Sequence, residues 1–298
     1  MEWVDKQTYM EASCPSHFQF DESLVFLKRS DQELLHRVEG RTLYKALTID
    51  NQAVLFSLAE EEGTLILQFL KGNPDKMNRE LVADYVTKWF DLNRDIAPFY
   101  RLALYDEYLK PLVERYSGLR IVGIPDLFEA LVWAIAGQQI NLSFAYTLKR
   151  RLVEHFGAKI EWEGEAYWLF PQPEILADCT TETLRELQFS SRKAEYILGV
   201  AKMMRDGLLQ QTELEKKNYQ TLKKELLSIR GIGAWTADYV LMKSFRFQNA
   251  FPIADAGIHN ALKELLGWKP TVEEIASIAN NWAGWEAYAT MYLWRSNA

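Results

Sequence analysis

Cysteine and histidine are scarce in this chain of 298 residues, and their scarcity limits the metal chemistry available to it. The two cysteines, Cys14 and Cys179, lie far apart, as expected of unrelated reduced thiols, whereas an iron–sulfur cluster takes four. The four histidines are scattered, and none belongs to an HxH or HExxH arrangement. We therefore expect no protein-built zinc site and no catalytic metal.

Long apolar runs and an excess of positive charge are also missing. No run approaches the ~20 apolar residues that span a bilayer, and the N-terminus lacks the basic start and apolar centre of a signal peptide. We expect a cytoplasmic protein that does not bind membranes. The net charge of −7 argues against a general polyanion binder. One local face could still bind an anion, because salt screens charges more than ~10 Å apart at 0.1 M.

The first hundred residues show a mixed pattern. Residues 41–50 are typical of a strand, and apolar alternation in 53–59 and 64–70 flanks a short turn that contains glycine, which predicts a β-hairpin. Residues 78–92 have helical spacing, and Asp21 is a candidate N-cap for a short helix that precedes the strands. We predict an α+β N-terminal domain, residues 1–100, with a small antiparallel sheet and helices.

Beyond Pro98 the pattern is almost wholly helical, with glycine or proline between many of the candidate helices. No linker, low-complexity tract or short-period repeat interrupts it. We predict that residues 101–298 form a mainly α-helical domain, which makes the fold α+β overall.

A tight turn lies between the predicted helices 219–228 and 234–245. Two glycines, Gly231 and Gly233, flank Ile232, whose side chain should point into the helix junction. Unpaired amides and the helix dipole at the start of the second helix favour an anion such as a phosphate. The alternative is that the turn only ends one helix and starts another.

Aromatic residues and a carboxylate follow this turn closely. Trp235 and Tyr239 are four residues apart and share one helix face, either as core residues or as the wall of a pocket. Asp255 precedes the next predicted helix, which it could cap while it faces such a pocket. Further aromatics follow near the C-terminus: Trp282, Trp285, Tyr288, Tyr292 and Trp294. A phosphate site, aromatic faces and an acid together favour chemistry on a base drawn out of DNA.

These residues resemble the helix-hairpin-helix DNA glycosylase superfamily, in particular its 3-methyladenine DNA glycosylase II branch. The segment from Leu226 to Val240 is similar to the superfamily pattern LxxIxGIGxxTAxxV, and Asp255 lies in a PxxDxG segment. Residues 128–140 resemble the FEALVxAIxGQQ helix and turn of the branch, and residues 191–194 resemble its SxRKAxxI segment. The resemblance covers residues 118–295, and more weakly the N-terminal unit.

The resemblance implies roles for individual residues. Asp255 would be the catalytic carboxylate, and the aromatic walls of the base pocket would be Trp235, Tyr239 and Trp285. The DNA-binding residues would be Gly231, Ile232, Gly233, Thr236, Gln138 and Gln139, the last two in the turn that probes the duplex. Family members often hold a monovalent cation at the hairpin, which bridges a DNA phosphate, and no other cofactor is implied. The implied partner is damaged double-stranded DNA, bound by a monomer.

The family's activity implies a monofunctional enzyme of base excision repair that hydrolyses the N-glycosidic bond of an alkylated purine. Lyase-type members carry lysine where this chain has Trp235, and Lys243 should point to a different face, so strand cleavage is not expected. Three alternatives remain: a glycosylase for oxidised or deaminated purines, a non-catalytic DNA-binding module, and a structural helical scaffold.

Overall fold

A computed structural model describes residues 1–297 of the chain. The strands are β1 (Val4–Asp5), β2 (Tyr9–Ser13), β3 (Arg37–Glu39), β4 (Thr42–Ile49), β5 (Gln52–Glu61), β6 (Thr64–Lys71), β7 (Lys159–Trp162) and β8 (Glu165–Trp168). The helices are α1 (Phe20–Leu27), α2 (Lys76–Trp89), α3 (Ala97–Ala103), α4 (Lys110–Arg115), α5 (Leu127–Gly137), α6 (Leu142–Phe156), α7 (Pro173–Ala177), α8 (Thr181–Glu186), α9 (Ser191–Arg205), α10 (Gln211–Leu214), α11 (Tyr219–Ser228), α12 (Ala234–Lys243), α13 (Ala256–Leu266), α14 (Val272–Ala279) and α15 (Glu286–Ser296).

Strands β1 to β6 form one antiparallel sheet in the order β1-β2-β6-β5-β4-β3. The predicted hairpin is confirmed as β5 and β6, which turn at Glu62 and Gly63. On β5, Val54, Phe56 and Leu58 are fully buried in the main core, which also contains the apolar faces of α1 and α2. Because side chains alternate between the two faces of a strand, these three residues share one face, and that face of the sheet packs against the helices.

The predicted cap of α1 is wrong. Gln19 occupies the N-cap position without a side-chain cap bond, and Asp21 lies inside the first turn. There the Asp21 carboxylate pairs with Arg41 at 2.9 Å. An acidic residue is favoured in the first turn as well as at the cap, because both positions face the positive end of the helix dipole.

A second, smaller sheet interrupts the helical region, which the sequence pattern did not predict. Strands β7 and β8 form an antiparallel hairpin whose Ile160 and Tyr167 pack with Ala46 and Leu55. These last two residues face away from the main core, so the hairpin covers the opposite face of the six-stranded sheet. Four-residue strands are too short for alternation to identify them reliably.

One hydrophobic core extends from Met10 to Leu293 and crosses the predicted division at residue 100. The buried guanidinium of Arg120 binds four carbonyl oxygens of the N-terminal region, at 2.8 to 3.3 Å, those of Ser16, His17, Asp91 and Arg94. The sheet with its helices, followed by a helical region, confirms the predicted α+β fold class. The division at residue 100 stays a prediction. No helix among residues 1–297 is both long and apolar enough to span a bilayer.

A buried ion-pair network joins the loop after α1 to the helices of the C-terminal region. Lys149 of α6 lies 3.0 Å from both Glu33 and Glu129. Burial by itself would raise the pKa of Glu33, but Lys149, His36 and the Leu35 amide outweigh it and hold that pKa at about 2. Glu33 therefore stabilises the fold mainly as the anion.

We expect replacement of Glu33 by glutamine to lower the free energy of unfolding at pH 7 by roughly 3 kcal/mol. The pKa of Glu33 is lower in the folded than in the unfolded chain, so its contribution is present above pH ~4.5 and is lost as the pH falls towards 2. The variant should accordingly lose less stability on acidification than the wild type. Urea unfolding at several pH values between 3 and 7 measures the free energy of unfolding, and Glu174→Gln, at an exposed position, is the control. If this free energy depends on pH in the same way for E33Q and for the wild type, Glu33 does not stabilise the fold as an anion.

Candidate active site

The turn between α11 and α12 has the geometry of an anion-binding hairpin. Gly233 is the N-cap of α12 and is exposed, as is Ala234 after it. Ile232 is buried at 5% exposure, as its predicted position in the helix junction requires. The amides of the first turn of a helix have no partners within the helix, so this exposed end offers donors to a phosphate.

Gly231 is needed because the turn packs tightly against α9. Its φ is +94°, in the region that favours glycine, and an added Cβ would lie 2.2 Å from the Cγ of Tyr196. Gly233 differs from Gly231, because an added Cβ there would meet nothing within 4 Å. Packing against Tyr196 therefore requires a glycine at position 231, whereas the space around Gly233 would admit a side chain.

Gln138 and Thr236 support this hairpin from the inside. The Nε2 of Gln138 donates to the carbonyl of Gly231 at 2.9 Å and to the Thr236 hydroxyl at 3.0 Å. Thr236 is only 2% exposed. Both side chains hold the shape of the hairpin, Thr236 from a buried position and Gln138 from a half-buried one, and their predicted contact with DNA stays a prediction. Gln139 is exposed and adopts a left-handed backbone with φ of +55°.

Asp255 is held at the start of α13 by four N–H donors. Its Oδ1 accepts from the backbone amides of Gly257 at 2.8 Å and Ile258 at 3.2 Å, which makes it the N-cap. The indole of Trp294 donates to the same oxygen at 2.7 Å, and the indole of Trp235 donates to Oδ2 at 2.9 Å. The carboxylate is therefore fixed in one orientation and remains half-buried.

Gly257, two residues after Asp255, makes room for the indole of Trp294. A Cβ on Gly257 would lie 2.8 Å from the Cδ1 of Trp294. Only glycine lets α13 begin so close to this ring, which explains the glycine of the PxxDxG segment. The short approach is what allows Trp294 to reach Asp255.

Three aromatic rings form a continuous cluster beside the carboxylate. Tyr239 lies 5.4 Å from Trp235 and 5.9 Å from Trp294, measured between ring centroids. The Tyr239 hydroxyl accepts a hydrogen bond from the Trp133 indole at 2.7 Å. Trp235 and Trp294 are half-buried. Hereafter these three rings, Trp235, Tyr239 and Trp294, are called the aromatic cluster.

The structure does not bring Trp285 to this cluster. Its ring packs against Phe99 at 5.9 Å and against Tyr288 at 5.6 Å. Trp294, which was not among the predicted pocket residues, is the ring that bonds to Asp255. The pocket role of Trp285 stays a prediction.

Lys243 lies behind the aromatic cluster rather than in the hairpin. Its side chain is 2% exposed and donates to the carbonyl of Val122, and its Nζ lies 5.8 Å from the ring centroid of Trp294. Burial, together with the nearby Arg29, holds the pKa of Lys243 well below its ordinary value. No lysine or arginine among residues 1–297 donates to Asp255.

Residues 1–297 contain no group of three or more His, Cys, Asp or Glu side chains placed to hold a metal ion. A monovalent cation at the hairpin would instead use backbone oxygens. The carbonyls of Ile229 and Gly231 each accept a hydrogen bond, from Ile232 and Gln138 respectively, and a carbonyl oxygen has a second lone pair for a cation. The residues present are compatible with such an ion, which stays a prediction.

Comparisons with known proteins agree with this geometry. The family described as HhH-GPD superfamily base excision DNA repair protein matches residues 132–285, and the N-terminal domain of 8-oxoguanine DNA glycosylase matches residues 17–131. The chain is 41% identical to the DNA-3-methyladenine glycosylase of Bacillus subtilis over 99% of both chains. A solved 3-methyladenine DNA glycosylase from Archaeoglobus fulgidus superposes with a TM-score of 0.83 at 27% identity, covering 95% of this chain and 97% of that one. The matched segment contains the hairpin, Asp255 and two of the three rings of the cluster, so this chain belongs to the HhH-GPD superfamily of base excision DNA repair proteins.

Proposed function

We propose that this protein is a monofunctional DNA glycosylase that draws alkylated purines of the 3-methyladenine and 7-methylguanine type out of DNA and hydrolyses their N-glycosidic bond. The observation that carries the proposal is the carboxylate of Asp255, held by four N–H donors beside the aromatic cluster. The names of the Bacillus subtilis and Archaeoglobus fulgidus relatives support the substrate class.

Alkylation supplies much of the activation in this reaction. A purine methylated at N3 or N7 is cationic, so it leaves as a neutral base when the bond to C1′ of the sugar breaks and the electron pair goes to the base. The sugar becomes oxocarbenium-like, and the anionic Asp255 stabilises that positive charge. Water then forms the new bond to C1′, and its proton passes to solvent, directly or through the Asp255 carboxylate.

The aromatic cluster suits a cationic base for two reasons, which are stacking and cation–π attraction. Stacking of a base on an aromatic ring contributes roughly 1–3 kcal/mol, and a cation over such a ring gains about 0.5–2 kcal/mol more. Flipping costs a few kcal/mol and is cheaper for damaged pairs. We therefore propose that Trp235, Tyr239 and Trp294 receive the extruded base.

Strand cleavage is not part of the proposed activity. A lyase forms a Schiff base between an amine and the sugar, and the position that carries this lysine in lyase-type relatives is Trp235 here. The buried Nζ of Lys243 is bound to the carbonyl of Val122 behind the cluster. We propose hydrolysis alone.

The proposed partner is damaged double-stranded DNA. The amides of the hairpin at Gly233 and Ala234 bind a backbone phosphate, optionally with a monovalent cation, and the exposed Gln139 probes the duplex beside the lesion. Because the chain carries a net charge of −7, backbone amides and a few cations must bind the DNA, so the affinity should be modest and should fall with salt. We propose that the protein acts as a monomer in the cytoplasm, at the nucleoid.

A glycosylase for oxidised purines is the second candidate, favoured by the match of residues 17–131 to the N-terminal domain of 8-oxoguanine DNA glycosylase. Incubation with duplexes that contain 7-methylguanine, 3-methyladenine, 8-oxoguanine or hypoxanthine separates the candidates. Mass spectrometry should detect free methylated purines, and gel electrophoresis without alkali should show no nicks. Release of 8-oxoguanine but not of methylated purines would favour the second candidate, and nicks would contradict the monofunctional assignment.

Replacing Trp294 with phenylalanine should slow the release of 7-methylguanine by about tenfold to a hundredfold, because a hydrogen bond to a charged group is worth ~1.5–3 kcal/mol. The change removes one of the four N–H donors that hold Asp255 and keeps an aromatic ring. Trp285→Phe is the matched control, since its ring packs on Phe99 and Tyr288, and its release rate should stay near that of the wild type. Single-turnover kinetics measure the release rates of both variants. A larger loss of rate in W285F than in W294F would indicate that Trp285 is the pocket residue.

A further inference from the structure

Lys193, in the first turn of α9, donates from its Nζ to the carbonyl of Ala136 at 2.7 Å. It belongs to the SxRKAxxI-like segment, residues 191–194, which takes no part in the hairpin or the aromatic cluster. A cation in the first turn of a helix is disfavoured by the dipole of that helix. The contact with α5, and not the stability of α9, therefore explains a lysine at this position.

The end of α5 needs this lysine. The helix ends at Gly137 and has no basic residue in its last turn. The last four carbonyls of a helix have no partners within it, and they form the negative end of its dipole. The ammonium of Lys193 supplies a donor and a positive charge there. Ala136 is buried, so removal of the ammonium leaves its carbonyl without that donor.

This end of α5 lies beside the proposed base pocket. A Cβ on Gly137 would lie 3.9 Å from the Cη2 of Trp235, at an ordinary van der Waals distance. The indole of Trp235 donates to Asp255. The turn that follows α5 therefore begins next to the wall of the pocket.

The same turn is bonded to the hairpin. Gln138, the first residue after α5, donates to the carbonyl of Gly231 and to the Thr236 hydroxyl. Gln139 follows directly, is exposed and has a left-handed backbone. The position of Gln139 relative to the hairpin thus depends on its neighbour Gln138 and on the end of α5.

Helix α9 contacts the hairpin as well as α5. Tyr196 is three residues after Lys193, so the two side chains lie on the same side of the helix. The Tyr196 ring packs so closely against Gly231 that an added Cβ there would lie 2.2 Å from its Cγ. Because one face of α9 holds the end of α5 and the hairpin, it sets the distance between Gln139 and the phosphate-binding amides.

We propose that Lys193 is a positioning residue for base extrusion, which fixes the end of α5 and thereby holds Gln139 where it enters the duplex as the lesion leaves. The inference rests on the proposed function and deepens it, because it assigns the extrusion step to a residue outside the pocket and the hairpin. Lys193 acts through Gln139 and not on the base or the sugar.

The loss of Lys193 should affect extrusion more than bond cleavage. A displaced Gln139 no longer stabilises the duplex from which the base has left, so a smaller fraction of bound lesions lies in the pocket and the observed rate falls. A lesion without a pairing partner costs less to extrude, so its release should depend less on Gln139. Asp255 and the aromatic cluster keep their own contacts without Lys193.

The test compares two duplexes that differ only opposite the lesion. In one, 7-methylguanine faces cytosine, and in the other it faces a tetrahydrofuran abasic analogue, which forms no base pair. Lys193→Met removes the ammonium and keeps an unbranched side chain of similar length. With saturating enzyme, we expect this variant to lower the single-turnover rate about tenfold on the paired lesion and less than about threefold on the unpaired one. The affinity for undamaged duplex should stay near that of the wild type, because the hairpin is unchanged.

Three further variants separate positioning from a structural role. Lys193→Arg keeps the charge and the donor and should restore most of the rate on the paired lesion. Lys202→Met removes an exposed cation from the same helix and should change neither rate. Gln139→Ala should reproduce the selective loss of K193M. The double variant K193M/Q139A should then lose little more than either single variant, because both changes remove the same function.

No loss on the paired lesion, equal losses on the two duplexes, or additive losses in the double variant would each overturn the inference while the proposed function stands. If K193M does not fold, Lys193→Gln, whose side chain is neutral and shorter, is measured by the same criteria. If the wild type releases no methylated purine from either duplex, the proposed function fails, and the inference fails with it.

Discussion

Replacing Asp255 with asparagine should lower the rate of base release by roughly 10²–10³-fold while the protein stays folded and binds DNA. Asparagine is nearly isosteric and is as good an N-cap as aspartate, so α13 keeps its start. The negative charge that stabilises the sugar is lost. The new amide group also faces the Trp235 N–H, which now lacks an acceptor, and we expect a loss of about 1 kcal/mol in unfolding free energy.

Single-turnover release of 7-methylguanine, DNA affinity and thermal unfolding together test this prediction. The matched control is Asp75→Asn, which changes the N-cap of α2 at an exposed position and should leave the release rate unaltered. Asp255→Ala adds the loss of the cap and should be as inactive as D255N but less stable by about 1 kcal/mol. Release by D255N at the wild-type rate would exclude Asp255 as the group that stabilises the transition state.

The Gly231→Ala substitution should have the second large effect, with a loss of about 3 kcal/mol in unfolding free energy. The new Cβ would overlap the Tyr196 ring in a backbone conformation that alanine adopts only with strain. In the folded variant the turn must move to make room for the new Cβ. Its amides then lose a hydrogen bond to the charged DNA phosphate, which should weaken DNA binding tenfold or more.

Gly233→Ala is the matched control, because this residue has a φ of −88° and space around the missing Cβ. Its free energy of unfolding should stay much closer to the wild-type value than that of G231A does. Adding Tyr196→Ala to G231A removes the overlap but not the backbone strain, so part of the stability should return. Urea unfolding and fluorescence anisotropy with labelled duplex measure both effects; equal losses for the two glycines would contradict the assigned packing.

The parts of the site that are continuous in sequence could be predicted from local patterns. The hairpin between α11 and α12 and the capping position of Asp255 follow from turn chemistry and helix-cap preferences that act over a few residues. The sheet of the N-terminal region was partly predictable for the same reason, since β4, β5 and β6 are long enough to show alternation.

Features that depend on contacts distant in sequence could not be predicted in this way. Trp294 reaches Asp255 only because α15 packs against α13 beside Gly257, and no periodic pattern distinguishes it from Trp285. Similarly, the burial of Thr236 depends on Gln138, which is 98 residues away.

The guanidinium of Arg120 has a consequence for protein engineering. Its hydrogen bonds gather four carbonyl oxygens from two separate stretches of the N-terminal region onto a side chain that precedes α5. A chimera that exchanges the first hundred residues with those of a relative must reproduce the backbone path around this arginine, or it will leave a buried charge unsolvated. We therefore expect that exchangeable modules of this enzyme begin after the arginine and not at the end of the sheet.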